Sequence, residues 1–380
     1  MILTGLFLLL TAAYLLLFVC YLYGWLRTPV ATTAAGFVPD ESVSVVIAAR
    51  NEEAVIGACI QSLLALHYPV HLLEIIIVDD DSSDATAAVV SQFARENVRC
   101  IRAPRPVASG PGSAFKKIAL DAGIHAAKGE LIVTSDADCT FPSEWLNQIA
   151  FRYRTGHPVM IVAPVRFQND GSLCERFQEF DFMTMQGITA ATRYWNWGVM
   201  CNGANLAFSK EAYQSVQGYN GIDHIISGDD YLLMLKMLQH YPDQVCYLKS
   251  AGAAVVTQPQ PDWKSFIQQR LRWSSKSGRY SDPRMAFILV LVYLFNVSLL
   301  LASVGAAFSL FPVRLVLLSF LLKVFVETVF LASVHQVYPL RRSLWYFPLL
   351  QPLHIIYITL IGGMSRFGRF EWKGRKAVQS

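Results

Sequence analysis

This chain of 380 residues has little charge. Charged residues make up 16% and hydrophobic ones 53%, which is too apolar for an ordinary soluble protein of this length. A net charge of +4 is too small to argue for nucleic acid as a partner. The seven cysteines (Cys20, Cys59, Cys100, Cys139, Cys174, Cys201 and Cys246) contain no C-x-x-C pair and no metal-ligand spacing. They read as buried small hydrophobes in a reducing compartment, not as a disulfide frame or zinc site. No G-x-G-x-x-G follows the first strand-like run, so a dinucleotide reading has little support. No internal repeat or low-complexity linker is visible.

The apolar excess lies at the two ends. Residues 1–26 contain no charged residue and are long enough to cross a bilayer, as are 285–311. Residues 315–338 are interrupted by Lys323 and Glu327, and 343–365 carry Pro348 and Pro352. A cleaved leader is the alternative reading of the first stretch, since small residues follow at 31–35. Against it stand the missing basic segment and an apolar core longer than a leader's usual run of about 7–15 residues. Arg27 points the globular part toward the cytoplasm of a bacterial-type inner membrane. Arg270, Arg272, Lys276, Arg279 and Arg284, before the second apolar stretch, suit a membrane surface. If all three carboxyl-terminal stretches span, the tail with Arg366, Arg369, Lys373, Arg375 and Lys376 ends outside, against the positive-inside rule. One stretch is therefore expected not to span: either the proline-bearing one, or 315–338, where Lys323 and Glu327 are costly facing lipid.

Between these ends, residues 41–280 have ordinary globular character and suit one large domain, reached through a linker at 27–40 with its hinge at Pro39-Asp40-Glu41. The membrane block is expected over 285–365 and a basic tail over 366–380. Short Val- and Ile-rich runs at 42–49, 73–78, 98–103 and 130–135 alternate with helical composition at 53–66, 84–95, 114–127 and 143–154. This alternation predicts an α/β fold with a mainly parallel sheet. A less regular half follows, with strands expected at 158–167, 205–210 and 245–249.

Polar residues gather where these strands end. The first closes in Arg50-Asn51-Glu52-Glu53, the second in Asp79-Asp80-Asp81-Ser82-Ser83-Asp84, and the fourth in Ser135-Asp136-Ala137-Asp138. Carboxyl edges of parallel strands are where such sheets bind ligands. Three acidic ends side by side would repel unless a cation or a row of donors fills the space. The D-x-D can share a hard divalent cation, with Asp138 turned to it and Asp136 to a neighbouring donor. Asp84 reads as a helix cap, whereas Asp79 and Asp80 read as ligand contacts. Lys116-Lys117 at a helix start is unfavourable to the dipole but suits a bound diphosphate. Gly228-Asp229-Asp230 opens an apolar helix, where capping competes with a role as general base. Gln269-Arg270-Leu271-Arg272-Trp273 offers a planar cationic fork and a flat ring for a sugar, though an interfacial helix with Arg and Trp anchors would look the same.

In this order, Asn51-Glu52-Glu53, Val78-Asp79-Asp80, Asp136-x-Asp138, Gly228-Asp229-Asp230 and Gln269-x-x-Arg272-Trp273 resemble the membrane-bound family 2 glycosyltransferases with a GT-A fold, such as cellulose, hyaluronan and poly-N-acetylglucosamine synthase catalytic subunits. The resemblance covers residues 40–280. Cys201-Asn202-Gly203-Ala204-Asn205 is similar to the family's loop beneath the acceptor site, and Trp372-Lys373-Gly374-Arg375 to tails of membrane-bound relatives. It implies an inverting transfer from a nucleotide-sugar donor, a UDP-sugar, to a lipid-linked or glycan acceptor, with Mg²⁺ or Mn²⁺. Asp230 would be the base and Asp229 its neighbour. Asn51, Glu52, Asp79, Asp80, Lys116, Asp136 and Arg272 would serve the donor, Asp138 the metal, and Asn202, Gly203, Gln269 and Trp273 the acceptor. The acidic pair reads Gly-Asp-Asp where polymerising members usually show Thr-Glu-Asp, which counts against a processive synthase. A catalytically inactive sugar-nucleotide-binding membrane scaffold is the alternative of another class. Membrane lipids are implied partners; accessory subunits are not specified.

Overall fold

The computed structural model describes residues 2–104, 114–168, 171–197, 200–225, 228–274, 282–339 and 344–364, with backbone alone for 370–372 and 375–377. Along the chain, α1 (Ile2–Arg27) precedes β1 (Val43–Ala49), α2 (Ile56–Leu64), β2 (Leu73–Asp79), α3 (Thr86–Ser91), β3 (Val98–Arg102), α4 (Phe115–Ala126), β4 (Leu131–Asp136) and α5 (Trp145–Gly156). Next come β5 (Met160–Val162), β6 (Val165–Phe167), α6 (Leu173–Trp195), β7 (Leu206–Ser209), α7 (Lys210–Ser215), α8 (Asp229–His240), β8 (Val245–Tyr247) and β9 (Val255–Thr257). The chain ends with α9 (Trp263–Ser274), α10 (Pro283–Ala307), α11 (Val313–His335), α12 (Tyr346–Met364) and the short β10 (Phe370–Trp372) and β11 (Arg375–Ala377). Two compact units result. One holds Pro29–Gln168, Met200–Gln258 and Glu371–Ser380, the other Met1–Thr28, Asn169–Val199 and Pro259–Phe370. The helices α6 and α9, which the sequence reading placed within the globular section, fall in the second unit.

The first unit is built on a sheet of order β3-β2-β1-β4-β7-β5-β8 among the described residues. Its centre is parallel: Ala49 of β1 pairs with Asp79, and Ala48 with Asp136. These strands are continuous Val/Ile runs because both faces are covered, so neither face calls for polar residues; Val45, Val46, Ile75, Ile76, Ile77 and Val133 are fully buried. α4 lies close on this core at Gly123, where a Cβ would come within 2.8 Å of Val78. β7 runs antiparallel to β4 and β5, so the sheet is mainly parallel, as the alternation predicts. The single strand expected at 158–167 is two short ones. Pro164 lies between them, and β6 leaves the main sheet to pair with β9.

The linker is not a free hinge. Glu41 is buried, its carboxylate held by Arg154 Nε at 2.6 Å, Arg154 also meets Asp40, and Tyr68 donates to the Glu41 carbonyl at 2.8 Å. The cysteines also depart from expectation: Cys59, Cys139 and Cys174 are buried, Cys100 is exposed and the others are intermediate, all as free thiols.

The second unit is helical. α1, α10, α11 and α12 are long and apolar enough to cross a membrane. Lys323 and Glu327, costly if they faced lipid, do not face it. They are 0% and 2% exposed and paired at 2.6 Å; Tyr14 donates to Glu327 at 2.5 Å and Gln351 to its other oxygen at 2.7 Å. This removes the objection to α11 as a span. The basic tail that set the topology conflict lies outside the residues described with side chains, as do Lys276 and Arg279. Glu327→Leu, which leaves the buried Lys323 ammonium its bond to Gln351 but no Glu327 counter-charge, is expected to destabilise the helical unit by about 3–5 kcal/mol, while the double variant with Lys323→Met recovers most of it. Thermal melting in detergent reads both.

Candidate active site

The sheet's topology brings the acidic strand ends together. β1 lies between β2 and β4, so Asp79 and Asp136 flank its carboxyl end two strand spacings apart, roughly 10 Å. Asp79 and Asp80 are largely buried, and Asp79 accepts from the Ser82 N–H at 3.2 Å. The Asn51 and 79–86 loops lock onto one another. Asn51, at φ +52, accepts from the Ser83 N–H at 2.9 Å; Thr86 accepts from the Glu52 N–H at 2.8 Å; Glu53 accepts from the Ala85 N–H at 2.8 Å. Asp84 accepts the Thr86 N–H at 3.0 Å from just before α3, but the N-cap position is Ala85, which has no side-chain cap, so the capping role expected of Asp84 is displaced by one residue. Asn51 therefore braces the 79–86 loop through its side chain, while Glu52 reaches the D-x-D electrostatically.

β4 delivers Asp136, and the chain turns to present Asp138 above the buried Cys139. Asp138 is solvent-accessible, yet burial of its surroundings, then the charges of Asp136 and Glu52, push its carboxyl up to about 6. Neighbouring carboxylate charge that favours the neutral acid in this way would be relieved by a counter-charge.

The antiparallel return through β7 puts the 201–205 loop beside the D-x-D. Ser135 Oγ donates to the Ala204 carbonyl at 2.6 Å, and Asn202 accepts from the Ala204 N–H at 3.0 Å. Gly203 then touches the start of α8: its N–H donates to Asp230 Oδ2 at 3.1 Å, and a Cβ there would lie 3.3 Å from Asp229 Oδ2. Gly228 enters the helix at φ +82, a conformation that favours glycine.

Lys116 ties the halves together. Its ammonium lies 2.7 Å from Asp136 Oδ1 and 3.1 Å from Asp229 Oδ2. Burial works against its charge, but Asp136 and Asp229 outweigh it and hold the lysine well above its ordinary value. Its neighbour Lys117 is 1% exposed and donates to the carbonyls of Ile222 and Ile225 at 2.7 Å each, tying α4 to the backbone at 222–225.

Sequence reasoning missed three residues here. Lys117 was read only as part of a basic pair. Tyr219 is buried near Asp229 and Asp230; burial, then those two charges, push its hydroxyl well above the ordinary tyrosine value. Asn205, fully buried, accepts from the Trp145 indole at 3.0 Å and donates to the Pro164 and Ala253 carbonyls, which anchors the 201–205 loop. Its position at the end of Asn202-Gly203-Ala204-Asn205 was its only signal.

Gln269, Arg272 and Trp273 lie on α9 in the helical unit. The residue between them, Arg270, is not the membrane-surface cation the sequence suggests. It is 3% exposed, donates to Asp181 from Nε at 3.2 Å and Nη2 at 3.0 Å, and sits 4.2 Å from the centre of the Trp273 ring. One face of Trp273 is thereby taken by a guanidinium.

Two family models match: glycosyl transferase family 2 over residues 44–216, and glycosyl transferase family group 2 over 131–361, more than half of the chain. The chain belongs to the family 2 glycosyltransferases. The mannosyltransferase PcManGT of Pyrobaculum calidifontis, solved with GDP-Man and Mn²⁺, matches with a TM-score of 0.62 at 17% identity over 96% of this chain and 99% of that one. The likeness establishes the GT-A fold for this family 2 member. A probable glycosyltransferase of Bacillus subtilis, YdaM, is 28% identical over 239 residues, 61% of this chain and 54% of that protein. A beta-monoglucosyldiacylglycerol synthase of Synechocystis is 36% identical over 121 residues, 32% of this chain and 25% of that protein. The chain thus spans about half or less of the length of these curated relatives.

Proposed function

We propose that the protein is a metal-dependent, inverting glycosyltransferase that moves a sugar from a nucleoside diphosphate donor to a hydroxyl of a lipid-linked or glycan acceptor. Its catalytic unit would face the cytoplasm at an inner membrane. The observation that carries this is the Lys116 bridge: one ammonium joins Asp136 of the D-x-D to Asp229 of the acidic pair, beside a Gly203–Asp230 hydrogen bond.

Asp138, with Asp136 beside it, would hold Mg²⁺ or Mn²⁺. Among the described residues no three His, Cys, Asp or Glu side chains converge to cage a metal, which fits a cation held by one or two carboxylates and substrate phosphates. Such a cation would neutralise charge on the departing diphosphate. Asp230 would take the proton of the acceptor hydroxyl, whose oxygen attacks the anomeric carbon. The carbon–oxygen bond to the diphosphate breaks and its electron pair leaves with the nucleotide, so a single displacement inverts the centre. Asp79 or Asp80 would contact the base, Asp136 the ribose, Asn202 and Gly203 the acceptor, and Lys116 the leaving diphosphate. The roles that the resemblance gives Gln269, Arg272 and Trp273 over donor and acceptor are part of the same proposal.

The diacylglycerol-glucosylating name of the Synechocystis relative supports a lipid acceptor. The test incubates membranes containing the protein with Mn²⁺ and radiolabelled UDP-sugars, with GDP-mannose added to the panel because PcManGT was solved with it. Label extracting into organic solvent is the expected result. Label confined to high-mass polymer would favour a processive synthase, and no turnover on any donor the inactive scaffold. Lys116→Met is expected to raise the donor KM about tenfold or more, the worth of a charged hydrogen bond, as read from initial rates over a donor series.

A further inference from the structure

One end of the helical unit carries a cationic cluster that the transfer reaction does not use. α1 ends at Arg27, α6 ends at Trp195 with Asn196 as its left-handed cap, and α10 begins at Pro283. Arginines from α6 and α10 meet on that cap, and Arg27 of α1 lies over the Tyr23 ring, which packs on Tyr194 and Trp195 beside it. Arg284 Nη1 donates to the Asn196 carbonyl at 2.8 Å and Arg193 to the Asn196 side-chain oxygen. Arg27 lies 6.0 Å from the centre of the Tyr23 ring, whose own centre is 6.1 Å from that of Tyr194. Asp282 accepts the Arg284 N–H at 2.8 Å as the cap of α10, leaving an excess of positive charge among the described residues.

An aromatic shelf adjoins the arginines. Tyr23 stacks on Trp195 at 5.5 Å, Trp195 on Trp197 at 5.2 Å, and Tyr194 meets Trp195 edge-on at 5.1 Å. The shelf is fixed to α1: the Trp195 indole donates to the Cys20 carbonyl at 2.8 Å, and a Cβ on Gly24 would lie 2.9 Å from that nitrogen, so only glycine leaves the ring its place. Within about three turns the same helices turn bare and apolar, with Leu16 and Val19 on α1 and Phe287 and Val290 on α10 more than half exposed.

Arginine, then tyrosine and tryptophan, then exposed aliphatic surface is the profile of a bilayer interface. Guanidinium forks match a phosphodiester with paired hydrogen bonds. A soluble anion would account for the arginines but leave the apolar skirt unexplained. We propose that Arg27, Arg193 and Arg284, with the Tyr23–Trp195–Trp197 stack, bind the phosphodiester headgroup of an anionic phospholipid. This rests on the membrane reading above.

The test uses the full chain in phosphatidylcholine nanodiscs doped with doxyl-labelled phosphatidylglycerol or, in parallel, doxyl-labelled phosphatidylcholine. Quenching of tryptophan fluorescence reports lipid beside the shelf, whose share is the difference between the native protein and Trp195→Phe/Trp197→Phe. Labelled phosphatidylglycerol is expected to quench the shelf at a concentration at least tenfold lower than labelled phosphatidylcholine, with each arginine worth roughly fivefold. Arg27→Gln/Arg193→Gln/Arg284→Gln should equalise the two lipids, and the matching triple Lys variant should keep most of the preference. If the triple Gln variant fails to fold, Arg193→Gln alone should show its fivefold share. Equal quenching in native protein that has inserted overturns the site but leaves the membrane reading standing; failure to enter nanodiscs overturns both. A preference that survives the Gln substitutions, or that millimolar inorganic phosphate abolishes, also overturns it.

Discussion

Asp230→Asn is expected to lower the transfer rate by roughly 10²–10⁴, the usual worth of a positioned general base, while leaving the affinity for nucleoside diphosphate unchanged. Two neighbouring carboxylates compete for the role, and their surroundings separate them. Asp229 is held at 3.1 Å by the Lys116 ammonium, so taking a proton would break an ion pair. Asp230 accepts two backbone N–H groups, from Gly203 at 3.1 Å and Tyr231 at 2.7 Å, which aim the carboxylate. The check is kcat with the natural donor beside the Kd for UDP from calorimetry. Asp229→Asn should cost less in kcat and more in donor binding, because it removes one of the two carboxylates that position Lys116 and leaves the ammonium drawn to Asp136. The reverse ranking would move the base to Asp229.

The strand ends were legible in the sequence because the central strands are buried on both faces. Continuous apolar runs then stop sharply, and the polar residues that follow stand out at 50–53, 79–84 and 135–138. The alternation of runs also gave the parallel core and its helices within a few residues. α6 was not legible by that signal, because it is a 23-residue amphipathic helix whose polar positions break up the apolar ones. Its capping box, Ser172 with Glu175 three residues later, is present in the sequence and could have marked its start. Charge sign alone misled at Arg270, since nothing local shows that Asp181, 89 residues earlier, supplies its partner. Lys323 and Glu327 stand at i,i+4 spacing and could have been read as a pair, but their burial against Tyr14 and Gln351 depends on three helices meeting. Within the site, Asp229-Asp230 was visible as a motif. Its link to Lys116 was not, because that contact crosses more than a hundred residues.

Asp138→Asn is expected to raise the Kd for UDP in Mn²⁺ at least about tenfold, the scale on which metal-site substitutions act, and to make that Kd indifferent to EDTA. The fold makes this carboxyl uncomfortable. Burial, then Asp136 and Glu52, push Asp138 up to about 6, so with no cation at hand its charge works against the folded state at neutral pH. An amide of the same shape removes that repulsion but is a poor ligand for a hard cation. The substitution should therefore separate two properties: in EDTA the variant melts no lower than the native protein, whereas in Mn²⁺ the native protein alone gains nucleotide affinity. A merely structural Asp138 would give the opposite pattern, with lost stability and a metal response that persists. Asp136→Asn provides the contrast, because Asp136 already has the Lys116 ammonium at 2.7 Å. Removing its charge leaves that ammonium with Asp229 alone, so stability should fall along with donor affinity.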